Sequence, residues 1–367
     1  MKKLAFFLAL ALLLGVMSGC TGTPVIYQTN CDCPDGSAET GSAVTETAKE
    51  TPEAAETEET PVAEGALKTG LYIGAKVSDS KSAEGENNGS AEYDVTIVSV
   101  TVDENGVIRS CIIDSVKASV GFDATGAITT ELTAPQTKNE LGEAYGMKAY
   151  GGSKYEWNEQ AAAVAEYAVG KTVEEIKTGA VNESGMAKDT DLAATATIYI
   201  GGYVAGIEAA VANAQPLGAQ TGDELHMAVI SGLGSSAAAT AEKNGTAQLD
   251  VNVAVITMNG DTITSCYIDA VQAKVPFDAT GAIAGELTAP KTKNELGEGY
   301  GMKAYAGSKY EWNEQAASFA AYVTGKTAAD VAGIAVDEGT KPTDADLSAT
   351  VTIAVGDFMA LIEKAAK

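Results

Sequence analysis

The sequence Asp-Ala-Thr-Gly occurs twice, beginning at Asp123 and at Asp278, each time between a Phe and an Ala-Ile pair. A short loop of this kind exposes backbone amides and a hydroxyl, groups that can hold a phosphate or the polar edge of a ring. The candidate ligand groups are therefore Asp123, Thr125 and Gly126 in the first loop, and Asp278, Thr280 and Gly281 in the second. Farther along, at the same spacing, stand Lys148 and Trp157, and again Lys303 and Trp312. One cation and one large aromatic per copy would suit a planar anion. The competing reading is structural: Asp123 and Gly126 make a turn and Trp157 fills the core.

Other chemistries find less support. "VGKT" at Val169 and "TGKT" at Thr324 lack the earlier glycine of a phosphate-binding loop, since Ala165 and Ala320 hold those positions. Both also follow a helical pattern rather than a strand. The single histidine, His226, has no counterpart in the first copy, so no His-dependent triad is repeated. Cys31 and Cys33 form a Cys-x-Cys pair without further ligands nearby, a poor metal site. Carboxylates are too plentiful for one acid/base pair to stand out. No nucleophile–base pair is recognisable, and a hydrolase is the least supported class.

The elements that must position these residues also come twice, 155 residues apart. From Phe122 to Ala162, 36 of 41 residues are identical with their partners, against 11 of 30 from Ala163 to Leu192. Each copy has a β-branched hairpin: "YDVTIVSVTV" returning as "VIRSCIIDSV", and "LDVNVAVITM" returning as "TITSCYIDAV". The repeated block that follows, broken by Gly and Pro, reads mainly as loop. A helix is expected next, with Ser153 and Glu156 (Ser308 and Glu311) as a capping box. Trp157, Ala161, Val164, Ala165 and Ala168 fall on one of its faces. Thr172 with Glu175 caps a second helix. "ATATIYIG" and "ATVTIAVG" read as strands before a final Ala-rich helix. Cys111 and Cys266 lie in apolar runs as small buried hydrophobes. The expected fold class is α+β, with two homologous domains, each an antiparallel sheet with helices packed on one face.

Ahead of the repeats, residues 1–19 read as an export signal: Lys2 and Lys3, then an apolar run too short to span a bilayer. The signal closes on "VMSGC", which resembles the lipobox of bacterial lipoproteins and implies a lipid on Cys20, anchoring the chain to a membrane outside the cytoplasm. Residues 20–65 form an acidic linker without the apolar content to pack. The repeats are assigned to 66–215 and 216–367. The whole chain has a formal net charge of −26, and the repeats alone carry 21 basic against 40 acidic side chains. That balance excludes a basic nucleic-acid footprint.

The lipobox, the acidic linker and tandem domains opening with "TGLYIGAKV" and a "VTVDENGVI" hairpin resemble surface lipoproteins of Gram-positive anaerobes that carry FMN-binding domains. That resemblance implies a flavin and electron relay outside the membrane to a redox partner. In the family's motif a Thr is esterified to FMN; here Ile128 and Ile283 occupy the acceptor position, so noncovalent FMN is expected over covalent. The functional expectation is a lipid-anchored binding protein for a small molecule, with FMN-linked electron transfer as its most specific form. The alternative is a cell-surface structural or interaction lipoprotein with no cofactor.

Overall fold

The computed structural model describes residues 65–367. The export signal, Cys20, Cys31, Cys33 and all but the last residue of the acidic linker lie outside the described residues. The first copy runs β1 (Lys68–Lys76), β2 (Gly89–Val102) and β3 (Ile108–Phe122), followed by α1 (Lys138–Leu141), α2 (Met147–Gly151) and α3 (Trp157–Ala168). It continues with α4 (Val173–Gly179), α5 (Thr190–Thr195) and α6 (Gly201–Ala212). The second copy repeats the order with β4 (Glu224–Gly232), β5 (Gly245–Asn259), β6 (Thr262–Phe277), α7 (Lys293–Leu296), α8 (Met302–Ala306) and α9 (Trp312–Val323). Its last helices are α10 (Ala328–Ala332), α11 (Ala345–Ser348) and α12 (Gly356–Ala365).

Each trio of strands forms an antiparallel sheet, in the order β1-β2-β3 and β4-β5-β6. The hairpins are those expected, and the fold class is α+β with helices on one face of each sheet. Along β2 and β5 the first half keeps polar residues such as Glu92, Asp94, Asp250 and Asn252 partly or fully exposed, and the stretches Ile97–Val102 and Val253–Met258 are buried on both faces. Val98 and Val100 face outward onto Trp157, Ala161, Val164 and Ile207 of the helices. Ile256 in the second copy meets Trp312, Phe319 and Leu361 in the same way. The alternate residues, Tyr93, Val95 and Ile97, face inward and pack against Val251, Val253 and Val255 of the other sheet.

Both repeats therefore lie within one compact unit, Thr60–Lys367, and share a sheet-on-sheet core. In that core Phe122 and Phe277 stack with centroids 4.2 Å apart and planes 3° from parallel. Each ring is fully buried, worth about 1.5–3 kcal/mol apiece from burial. The stack adds about 0.5–1.5 kcal/mol.

Local structure adds to or departs from the sequence reading at three points. Strands β1 and β4 precede the hairpins and complete each sheet. "ATATIYIG" and "ATVTIAVG" are not strands but irregular segments between helices. A strand needs a neighbouring edge, and here the backbone bonds to a side chain instead. Buried Gln160 accepts from Thr197 N at 2.8 Å and Ile198 N at 3.1 Å, and Gln315 accepts likewise from Thr352 and Ile353. Thirdly, α3 begins at Trp157, with Glu156 as N-cap and Glu159 closing the capping box. Ser153 is spent elsewhere, donating to the Tyr155 carbonyl and accepting from Gln160. The Thr172–Glu175 box is found as expected.

The repeated block is irregular from Asp123 to Gln136, as expected, and then folds into short helical turns. Gly142, Gly146 and Gly152 end successive turns with positive φ, which a glycine adopts without a Cβ penalty. Glu156, 3% exposed, also accepts from the first amides of α2, Met147 N at 2.8 Å and Lys148 N at 3.1 Å. One carboxylate thus terminates two helices.

Candidate functional site

The two Asp-Ala-Thr-Gly loops form turns that close on one another. In the first, the Asp123 carboxylate accepts from Thr125 N at 2.8 Å, Thr125 Oγ1 at 2.7 Å and Ala127 N at 3.1 Å. These bonds hold Asp123 below the usual carboxylate range. Asp278 makes the same bonds to Thr280 and Ala282, with the same downward shift. The Gly126 carbonyl accepts from Ala239 N at 2.9 Å, and the Gly281 carbonyl accepts from Ala83 N at 2.8 Å. Each turn is therefore pinned by the opposite repeat. A Cβ on Gly281 would lie 2.4 Å from the Asp123 carbonyl oxygen, and one on Gly126 would lie 3.0 Å from that of Asp278. Such contact demands glycine on both sides. Thr125 and Thr280 remain exposed.

Lys148 and Trp157 are not brought to these turns. Phe122, which leads into the first turn, belongs to the core between the sheets, whereas Trp157 belongs to the helix-covered core on the other face of β3. Trp157 is 3% exposed and donates from Nε1 to Tyr203 Oη at 2.9 Å. Lys138 Nζ lies 4.9 Å from its ring centroid. Trp312 packs edge-on against Phe358, with Lys293 at 4.6 Å. Lys148 pairs with Glu159 and Lys303 with Glu314, each at 2.8 Å. Cys111 and Cys266 sit in or against the helix-side cores, and burial pushes each thiol up to about 12.

A cleft of about 610 Å³ opens elsewhere, where the edge strand β1 of the first sheet meets the edge strand β6 of the second. The seam is closed at one end by Thr69 and Ser265, whose buried hydroxyls lie 2.7 Å apart. Beyond that bond the walls part. One wall is Leu71–Ile73 with the chain between the repeats, and the other is Cys266–Asp269 with α7 and the Ala-rich face of α9. Gln215 Nε2 donates to Tyr267 Oη across the opening at 3.3 Å.

The buried carboxylate in this cleft is Asp269, 6% exposed, which accepts from Ala270 N at 2.7 Å and Asn294 N at 3.0 Å. Burial pushes it up to about 6 against those bonds, and neighbouring Glu295 adds to the shift. Glu295 itself caps α7 through Thr292 N at 2.7 Å and is exposed. Among the described residues it has no ion-pair partner, and the cleft lining includes no Lys or Arg. Asn313 adds an amide oxygen buried without a hydrogen-bond partner.

Sequence reasoning missed this cleft because its walls come from residues about two hundred positions apart. The available signal was the repetition of Asp114, Asn139 and Glu140 as Asp269, Asn294 and Glu295. No protein-family model, no curated protein and no solved structure matches this chain.

Proposed function

We propose that the chain is a non-catalytic binding protein, anchored to a membrane outside the cytoplasm through a lipid on Cys20, whose ligand occupies the cleft between β1 and β6. The observation that carries this reading is the cleft itself. Its volume of about 610 Å³ falls within the range of small-molecule sites, roughly 300–1,000 Å³. It joins an apolar floor to a few convergent polar groups, Tyr267, Asp269, Asn294 and Glu295. The lining favours a neutral or cationic ligand over a phosphate. The flavin-bearing form of this reading therefore rests on the sequence resemblance and on the exposed hydroxyls of Thr125 and Thr280.

The test is native mass spectrometry with a visible absorption spectrum on protein purified from its own host, beside an Ala321→Trp variant. Ala321 is an exposed residue of α9 on the cleft wall, so a tryptophan there fills the cleft without entering the core. A co-purifying small molecule present in the natural chain and lost in the variant is the expected result. A ligand retained equally by both would place the site elsewhere. A flavin spectrum surviving in Ala321→Trp would move it to the Asp-Ala-Thr-Gly turns.

A further inference from the structure

The two seams between the sheets are built alike but finished differently. At the β3/β4 seam, Glu140 is ion-paired with Lys364 of α12, and Lys364 Nζ also donates to the Val229 carbonyl at 2.6 Å. An ammonium on a four-carbon stem thus fills that seat from within the chain. The β1/β6 seam reproduces the seat. Glu295 corresponds to Glu140, each the third residue of a Thr-led capping box. Asn139 N and Asn294 N contact their aspartates at 3.1 and 3.0 Å, so the two scaffolds agree. Ile73 corresponds to Val229, by the register that pairs them with Ile97 and Val253.

The lysine is what differs. Aligning the final helices from Gly201 and Gly356 sets Ala209 opposite Lys364. Glu295 and Ile73 therefore face the cleft with no ammonium of the chain between them. Lys76, Lys138 and Lys291 line an adjoining groove that shares Tyr72, Ile73 and Glu295 with the cleft, and among the described residues none is within ion-pairing distance of Glu295. Tyr72, where the other copy has Ala228, adds an aromatic wall, a surface that itself attracts cations.

We propose that the cleft binds its ligand through a primary ammonium group on an aliphatic stem, held by the Glu295 carboxylate and the Ile73 carbonyl. The chain's own Lys364 shows the chemistry in the opposite seam. This deepens the reading of the cleft as a ligand site and rests on it.

The test is calorimetric titration of the full chain with 1,5-diaminopentane, with pentan-1-ol and pentanoate as uncharged and anionic counterparts. The diamine is expected to bind at one site, at least tenfold more weakly in Glu295→Gln. Binding should be lost in Ala209→Lys, where an internal ammonium takes the seat. Lys364→Ala, which vacates the opposite seat, should raise the stoichiometry from one to two. Diamine binding unchanged in both Glu295→Gln and Ala209→Lys, or no binding to the natural chain, overturns the proposal. Pentanol or pentanoate binding that Ala321→Trp abolishes, without diamine binding, overturns the ammonium assignment and leaves the cleft as a site for another ligand.

Discussion

A methyl group on Gly281 should weaken the whole protein, and comparison with Gly106 separates the reasons. Both glycines have positive φ, +70° and +76°. An L-residue in that conformation costs about 1–2 kcal/mol wherever it occurs. Gly106 sits in the β2–β3 turn, where an added Cβ would have nothing within 4 Å, so Gly106→Ala should cost that much and no more. At Gly281 the Cβ would also meet the Asp123 carbonyl oxygen at 2.4 Å and Ala83 Cβ at 2.7 Å, both in the other repeat. Moving packed backbone aside adds about 1–3 kcal/mol. Gly281→Ala should therefore cost about 2–5 kcal/mol, and the bond from Ala83 N to the Gly281 carbonyl should weaken with it. The assay is urea unfolding followed by both tryptophans, Trp157 and Trp312 reporting on separate repeats. The natural chain should show one transition, because the core is shared. Equal costs for Gly281→Ala and Gly106→Ala, within about 0.5 kcal/mol, would refute the idea that the turns lock the repeats together. So would two separate transitions in the natural chain.

Two further outcomes follow from the same geometry. Asp269 is raised to about 6 by burial, above an ordinary value of about 3.9. The folded state therefore binds this proton more tightly than the unfolded state, and stability falls as pH rises through this interval, by roughly 3 kcal/mol in all. Asp269→Asn keeps an oxygen for the Ala270 and Asn294 amides, so urea midpoints between pH 4 and 7 should decline less than in the natural chain; parallel declines would reject the assignment. Thr125 and Thr280 donate only to their own aspartates and are exposed. Replacing both by Val should leave the unfolding free energy within about 1 kcal/mol while removing any flavin absorbance from host-purified protein; undiminished flavin would exclude these hydroxyls as its contacts.

The parts of the fold that were legible in the sequence are those set by local periodicity. The hairpins and the Trp157–Ala168 face depend on residues near one another in the chain. The Ser153–Glu156 pattern misled at the start of α3: Gln160, from the first turns of the helix, takes the Ser153 hydroxyl, and Glu156 becomes the N-cap with Glu159. The β-branched runs near Thr197 and Thr352 misled for a related reason, since buried glutamines supply the partners that a strand edge would have supplied. At the candidate site, the Asp-Ala-Thr-Gly turns were visible but their surroundings were not. The contact that Gly126 and Gly281 make with the opposite repeat exists only once both sheets are packed.

That contact also accounts for the identity of the Phe122–Gly126 and Phe277–Gly281 stretches. Across a pseudo-two-fold axis, one set of residues must be complementary to a second set of the same kind. Phe122 stacks on Phe277, and each Asp-Ala-Thr-Gly turn is bonded by the other repeat, so a change in one copy must be met in the other. Residues in the seams away from the axis carry no such mutual constraint. There the copies have diverged, with Lys364 facing Glu140 on one side and Ala209 leaving Glu295 open on the other. The self-complementary centre explains why the two turns stay alike, and the asymmetric seams explain how like repeats come to have one seam closed by a lysine and the other open.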